Sequence, residues 1–433
     1  MIYKTLKMDK LKSNQFPSDW KLYKLNKLGN PFNGLTGKTK EDFGGGKPYI
    51  PYLNIFRNAI IDNESFDYVR VNGEKNQNKV SYGDLFFTTS SETPKEVGMS
   101  SAYLGNNEEL YLNSFCFGFR LHDFKLATPE YLSYYFRSSL GRRFMSRLAQ
   151  GATRYNLSKN LFLKEQILLP SIVEQQQISQ IFICWDEAIN LNQSLLSESL
   201  KNRKGLEQHL LSGKVRFGEF VKSKTSVKTP VGILPEDWEL KHISDIVQRA
   251  RKPFKPELEK LYREIGIRSH CKGIFHKEEV NGASLGNKSV FWIQPDCFVV
   301  NIVFAWEHAI AKTTEAEVGM IASHRFPMYK PKKGVLDLDY LLYYFKTARG
   351  KHLLGLASPG GAGRNKTLGQ SEFAKLKIPV PSIEEQKKIV AVLSEADKEI
   401  ELLQQQIDTL KKQKKGLMQK LLTGEIRVKP GNE

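Results

Sequence analysis

The sequence predicts an α+β protein built as an internal repeat: two β-rich α+β blocks joined by two long helices that pair as a coiled coil. Three observations carry this. Residues 170–216 recur without a gap at 381–427, 211 positions on, and 19 of the 47 aligned residues are identical. Both copies place apolar residues at alternating three- and four-residue steps between helix-start and helix-stop signals. Each copy follows a longer block in which strand-like runs alternate with Gly/Asn turns. A period of 211 far exceeds the ~20–50 residues of a solenoid unit, so a half-molecule has been duplicated.

In chain order, the first block covers 1–169. It opens at 16–20 (FPSDW), has strand-like stretches at 49–55, 84–89 and 114–121, and closes with an apolar helix at 130–136 and a glycine-rich basic loop at 151–156. The first repeated helix covers 170–216. Ser171 and Glu174 form an S-x-x-E capping box after Pro170, and Gly213 stands where the helix stops. Its seam keeps Ile178, Phe182, Trp185, Ile189, Leu196, Leu206 and Leu210 but carries Asn192, Ser199 and Arg203 as well. A Lys/Ser/Thr/Val-rich linker at 217–233 leads to the second block, 234–380. That block opens at 234–238 (LPEDW), has strand-like stretches at 290–293, 297–306 and 325–329, and closes with a helix at 339–345 and the loop 360–366. Between these matching ends the two blocks share little sequence. The second repeated helix, 381–433, repeats the box at Ser382 and Glu385 and the stop at Gly424. Ile389, Leu393, Ala396, Ile400, Leu403, Ile407, Leu410, Leu417 and Leu421 follow a coiled-coil period that only Lys414 breaks. About 40 helical residues span roughly 60 Å at ~1.5 Å each. Polar seam residues help fix register. Gly205 and Gly416, at equivalent places, each cost ~1 kcal/mol in a helix interior. They mark either a helix break or the close approach of another backbone.

The 433 residues carry a net charge of +18, from 65 Lys+Arg against 47 Asp+Glu, which points to a polyanionic partner such as nucleic acid. No apolar run reaches the ~18–20 residues of a membrane span. Residues 1–12 are basic without an apolar core, so no signal peptide is expected. Cys116, Cys184, Cys271 and Cys297 form no C-x-x-C pair, which argues against zinc and disulfides and fits a reducing cytoplasm.

Motifs of catalysis are missing. Residues 34–39 (GLTGKT) resemble the end of a phosphate loop, but Phe32 stands where its first glycine belongs. Residues 30–32 (NPF) lack the second proline of an aminomethyltransferase loop, and no glycine-rich cofactor fingerprint accompanies them. His270, His276, His308 and His324 lie among apolar and basic residues and fit core or DNA-backbone roles better than a metal site. No H-E-x-x-H, G-x-S-x-G or EF-hand pattern occurs. What remains is basic, polar and aromatic material in loops, suited to phosphates and base edges. The DNA-binding candidates are Lys38, Lys47, Arg57, Ser90, Arg154, Tyr155 and Asn156 in the first block. In the second they are Arg251, Lys252, Arg268, His270, Arg325, Arg364 and Asn365.

The duplicated frame, P-S-I-x-E-Q opening a long helix and L-L-[ST]-G-x-[VI]-R closing it, resembles the specificity subunit of type I restriction–modification systems. The resemblance extends over essentially the whole chain, through both P-x-D-W openings and both closing loops. It implies two target-recognition domains, and a pseudo-twofold antiparallel coiled coil that acts as spacer and docking surface. Each domain would read one half of a bipartite, asymmetric double-stranded DNA site, the halves about one DNA turn (~34 Å) or a little more apart. The chain would hold no catalytic site and bind no cofactor. S-adenosylmethionine would sit on two methyltransferase subunits, and ATP and Mg on translocase–nuclease subunits able to join them. The polar seam of the first helix departs from a uniform zipper, and Asn192, Ser199 and Arg203 are expected to face a partner subunit. Three alternatives stand beside this reading: a related split-site system with a fused nuclease–methyltransferase partner, a freestanding DNA-modifying enzyme, and a coiled-coil scaffold without nucleic acid.

Overall fold

A computed structural model describes residues 16–71, 77–360 and 366–428. The chain forms two compact units, Met1–Gln193 with Gln405–Glu433, and Ser194–Gln404. Both long helices are continuous, α1 over Ile172–Leu210 and α2 over Ile383–Leu421, so each contributes residues to both units. Neither helix breaks at Gly205 or Gly416, and among the described residues nothing beyond the helix's own neighbouring backbone comes within 4 Å of where a Cβ would stand at either.

The first unit holds a four-stranded antiparallel sheet, in the order Gly29–Asn33, Cys116–Leu121, Leu85–Thr88, Ser100–Ala102. The second unit holds its counterpart: Val247–Ala250, Met328–Pro331, Phe298–Val300, Ile310–Lys312. The two interiors are therefore more alike than their sequences suggest. Phe87, Phe136 and Phe162 meet with ring centroids 5.0–5.7 Å apart, and Phe298, Phe345 and Phe373 meet at 5.4–6.1 Å. Around this shared centre the units differ. The first adds the strands Asp67–Val69, Phe43–Ile50 and Tyr111–Leu112; the second adds a five-stranded sheet that includes Leu261–Ile267 and Ile274–Asn281.

Several expected boundaries move. Residues 52–55 are helical, within Tyr52–Arg57, because Pro51 at the cap ends the strand Phe43–Ile50. The stretch 297–306 is strand only over Phe298–Val300, and 325–329 pairs only from Met328. The linker is not structureless: Ser226–Thr229 and Gly232–Pro235 form a hairpin.

In both units the helices run antiparallel, with one constant register. Arg427 meets Glu174 and Lys414 meets Asp186 in the first unit; Arg216 meets Glu385 and Arg203 meets Asp397 in the second. The seam packs into the cores: Ile178, Phe182 and Leu421 in the first unit, Leu210, Ile389 and Leu393 in the second. Ile189 and Ile407 are buried, whereas Leu196, Ile400, Leu403, Leu410 and Leu417 are half-buried. Leu206 departs from the expected seam and remains 37% exposed.

The repeated motifs gain distinct roles. Ser171 and Ser382 cap their helices by accepting from the amides of Glu174 and Glu385, 3.3 Å in both. The glutamates do not complete the capping box. Glu385 instead accepts from Arg216 Nε and Nη2, both at 2.8 Å, and from Trp238 Nε1 at 3.1 Å, while Arg216 also holds Asp237. Glu174, Arg427 and Asp19 build the same clasp in the first unit. Gln175 ties α1 to the block: its Oε1 accepts from the Thr128 amide and its Nε2 donates to the Leu126 and Pro170 carbonyls. Gln386 makes the matching bonds to Asp337, Val335 and Pro381. Gly213 and Gly424 have φ of 70° and 72°, and a Cβ there would strike Pro235 or Pro17 at 2.5 or 2.4 Å.

The polar seam residues also pack inside their units. Tyr134 donates to Asp186 and Tyr343 to Asp397, both at 2.8 Å. Lys414 and Arg203 close these layers from the opposite helix, lying over the Tyr134 and Tyr343 rings. Burial first, then the adjacent carboxylate, raises both tyrosines well above the ordinary phenol value. Arg203, expected to face a partner, is thus 18% exposed and held by Asp397 and Glu207. Asn192 bonds the Ala188 carbonyl at 2.8 Å and Ser199 the Glu399 carboxylate at 3.1 Å.

Candidate nucleic-acid interface

In the first unit, strand pairing gathers part of the expected set. Tyr155–Leu157 lies between Ala149–Gln150 and Ser90–Ser91, which sets Asn156 opposite Ser90 and Tyr155 opposite Ser91. The Thr89 carbonyl accepts from the Leu157 amide at 2.9 Å and fixes the turn. Tyr52, which the sequence did not single out, donates to the Ser90 carbonyl at 3.0 Å, and its helix ends at the exposed Arg57. Asn156 and Arg154 are exposed, Tyr155 is half-buried and Ser90 is buried. This is one patch of a hydroxyl, an amide, an aromatic ring and cations, a set able to stack on bases and bond their edges and phosphates. Lys47 instead ion-pairs with Glu109, whose hydrogen bond holds its ammonium above the ordinary value. Lys38 lies in the loop after Gly29–Asn33, near Asp42.

In the second unit four segments interlock through backbone bonds. The His270 amide donates to the Glu307 carbonyl at 2.8 Å and the Cys271 amide to the His308 carbonyl at 2.9 Å. The Ile302 amide donates to the Arg325 carbonyl at 3.0 Å, and the Leu368 amide to the Ile302 carbonyl at 2.8 Å. The last bond repeats the Leu157–Thr89 bond of the first unit. His270 and Arg325 thereby belong to one network, with Arg268 beside them over the Phe275 ring at 4.9 Å. Lys366 over Trp306, at 5.8 Å, joins them unforeseen. Arg364 and Asn365 lie outside the described residues. Arg251 and Lys252 are exposed between the two sheets, where the Lys252 carbonyl accepts from Trp292 at 2.9 Å.

Among the described residues four non-glycines have positive φ, and His270, Cys271 and His308 of this network are three of them. Such backbone costs ~1–3 kcal/mol per residue and collects at functional sites. Burial first, then Lys351 and His270, pushes the His308 imidazole down to about 4, so it is neutral near pH 7. Its buried Nε2 has no hydrogen-bond partner. The described residues hold no cluster of three His, Cys, Asp or Glu placed for a metal ion, and no helix among them is long and apolar enough to cross a membrane.

The model of the type I restriction modification DNA specificity domain matches twice, over residues 17–202 and 235–412. A putative type I restriction enzyme MjaX specificity subunit from Methanocaldococcus jannaschii is 25% identical, over 99% of this chain and 98% of its own. The type I restriction enzyme MjaVIII specificity subunit of the same organism is 24% identical, over 70% and 72%. The crystal structure of a type I restriction–modification S subunit from M. genitalium superposes with a TM-score of 0.56 at 13% identity, covering 95% of this chain and 97% of that one.

Proposed function

Because the chain belongs to the type I restriction–modification DNA specificity family, whose domain it carries twice, we propose that its two units read the two unlike halves of one bipartite DNA site. It is a type I specificity subunit with two target-recognition domains. The paired helices fix the number of unread bases between the halves and dock two methyltransferase subunits; translocase–nuclease subunits join these. The chain itself catalyses nothing. S-adenosylmethionine, ATP and Mg belong to the partners.

One observation carries this reading. The mountings agree at the level of single side chains (the Arg–Glu–Asp clasp, the glutamine ties, the Tyr–Asp–cation layer), whereas the exposed patches do not. Arg154, Tyr155 and Asn156 in one unit face a different task from His270, Arg325 and Lys366 in the other. Different donors and acceptors select different bases, so the site is asymmetric.

The test is genome-wide adenine-methylation mapping in cells that carry this chain with its methyltransferase. The expected result is two unlike half-sites separated by a fixed gap. Exchanging 234–380 for the block of a relative should change one half-site only; a change in both, or a palindromic site, refutes the reading. The purified chain alone should bind DNA with steep salt dependence, losing ~10³–10⁵ in affinity between ~50 and ~200 mM salt if ~6–10 phosphates are contacted. It should methylate nothing.

A further inference from the structure

We propose that Arg137 and Arg142 are positioning residues for the first unit's reading patch: they hold the two backbone segments that brace Ser90–Ser91 and thereby set which bases that unit selects. The inference rests on the function proposed above and names residues that determine specificity without belonging to the patch.

Arg137 ends the helix Pro129–Arg137, and Arg142 stands in the next helix, Ser139–Arg147. Arg137 Nε donates to the Ser100 carbonyl at 2.5 Å, and its Nη2 to the carbonyls of Ile55, Phe56 and Asn58 at 2.5, 3.0 and 2.7 Å. Ile55 and Phe56 lie in the last turn of Tyr52–Arg57, where carbonyls find no partner within a helix, so the guanidinium caps that helix. Ser133, one turn before Arg137, strengthens the grip. Its hydroxyl donates to the Ala59 carbonyl at 2.6 Å, and its carbonyl accepts from the Ser100 hydroxyl at 2.9 Å. Arg142 holds the turn 92–98 in the same manner. Its Nε and Nη2 share the Lys95 carbonyl at 3.2 and 3.0 Å, Nη1 donates to the Gly98 carbonyl at 2.9 Å, and Nη2 also reaches the Val97 carbonyl.

Both segments touch the patch. At the start of the capped helix Tyr52 donates to the Ser90 carbonyl, and at its end stands the exposed Arg57. In the turn, Glu96 accepts from the hydroxyls of Ser91 and Thr93 at 3.4 and 2.8 Å. Asn156 and Tyr155 lie opposite Ser90 and Ser91. A shift of either segment therefore moves the groups that meet base edges, and such sites need placement within ~0.5 Å.

The second unit does without this device. At the same places of its helix pair, 209 residues on, Leu342, Lys346 and Lys351 stand for Ser133, Arg137 and Arg142. Lys346 lies over the Tyr343 ring at 5.4 Å and Lys351 is exposed. There the reading loops hold each other through backbone bonds, such as those from His270 and Cys271 to Glu307 and His308. Arginine thus appears where side chains must hold the loops, and its planar fork meets several carbonyls at once as a lysine does not. The arrangement is unfavourable for the core alone. Burial first, then the Arg142 charge, pushes the Arg137 guanidinium down to about 10, and burial pushes Arg142 down to about 10 as well. Apolar residues would fill such positions without that loss.

The experiment uses the full-length chain with its methyltransferase, and duplexes carrying the mapped site with one base pair of one half-site changed. Each wrong base pair ordinarily costs ~5–150-fold in affinity. Arg137→Lys with Arg142→Lys keeps both charges but loses the forks; Arg137→Met with Arg142→Met loses both. Each pair should lower discrimination at least about fivefold in the half-site of the first unit, identified by the block exchange above. Discrimination in the other half-site should remain intact, which also reports a folded chain. Neither pair should change the salt dependence of affinity, since no phosphate contact is removed. Tyr52→Phe, which removes one hydroxyl and no charge, should lower discrimination in the same half-site about twofold. Unchanged discrimination there in the lysine pair overturns the proposal. So does an equal loss in both half-sites, which makes the arginines general supports of the fold. A salt slope smaller by about 1 per arginine in the methionine pair also overturns it, because the arginines are then phosphate contacts. If the unaltered chain discriminates in neither half-site, it is the function proposed above that falls.

Discussion

Replacing Arg216 by methionine removes the centre of the clasp that closes the second unit, and the cost follows from burial. The Arg216 side chain is 7% exposed, and its partners Glu385 and Asp237 are 2% and 15% exposed. Four bonds of 2.6–3.0 Å reach the two carboxylates and a fifth reaches the Phe220 carbonyl. These bonds, led by those to Glu385, raise the guanidinium above its ordinary value. Without the arginine, Glu385 is an uncompensated buried charge, a loss of ~3–5 kcal/mol. Arg427 occupies the same motif position and also holds a buried glutamate, Glu174, but it is itself 40% exposed and Asp19 is 60% exposed, so water reaches the clasp and replaces part of what is lost. Arg427→Met should cost only ~1–2 kcal/mol. Urea unfolding followed by tryptophan fluorescence reads the difference, since Trp238 donates to Glu385. Adding Glu385→Gln to Arg216→Met should recover a good part of the loss. Equal losses at Arg216 and Arg427, or no recovery in the double variant, would refute the attribution to burial.

Two further predictions concern the polar layers and the strained loop. Asp186→Ala strands both the Lys414 ammonium and the Tyr134 hydroxyl and should cost ~2–4 kcal/mol, whereas Lys414→Met should stay within ~1 kcal/mol by urea midpoint. His308 sits at about 4 against an ordinary 6.5, so the unfolded chain takes up its proton first as the pH falls. Its contribution is complete above pH ~6.5 and is lost as the pH drops toward ~4, the loss reaching ~2 kcal/mol by pH ~5. His308→Asn, which tolerates the left-handed backbone, should flatten the stability profile between pH ~7.5 and ~5; an unchanged profile would discount the buried imidazole.

The long helices were legible because their signals are local: serine caps, glycine stops and a 3–4 apolar step all lie within a few residues of what they specify. Pairing between the helices followed from having two such faces. The antiparallel register did not follow from pattern, because it is set by contacts such as Arg216–Glu385 that join residues 169 apart. The glutamates read as capping-box members for the same reason. A motif scan sees Ser171 three residues from Glu174, not Arg427 at a distance of 253. Arg203 and Lys414 looked like flaws in the seam, and only the tyrosines from the blocks reveal them as matched layers. Within the blocks, Ser90 and Asn156 were chosen separately by residue type and meet through strand pairing. Lys366, Trp306 and Tyr52 were missed because a lysine, a tryptophan and a tyrosine in unremarkable contexts carry no signal until the loops fold together.

The exchange of helix ends has a consequence for how the molecule is made. The unit Ser194–Gln404 is one unbroken stretch of chain, and its clasp, glutamine tie and core are all available once that stretch has been synthesised. The other unit starts first but finishes last. Leu421 and Leu422 belong to its core and Arg427 closes its clasp, and all three follow more than two hundred residues after Gln193. Synthesis therefore supplies the last residue of the second half, Gln404, before the residues that close the first, and a chain that stops short of Arg427 lacks the arginine of the earlier half's clasp.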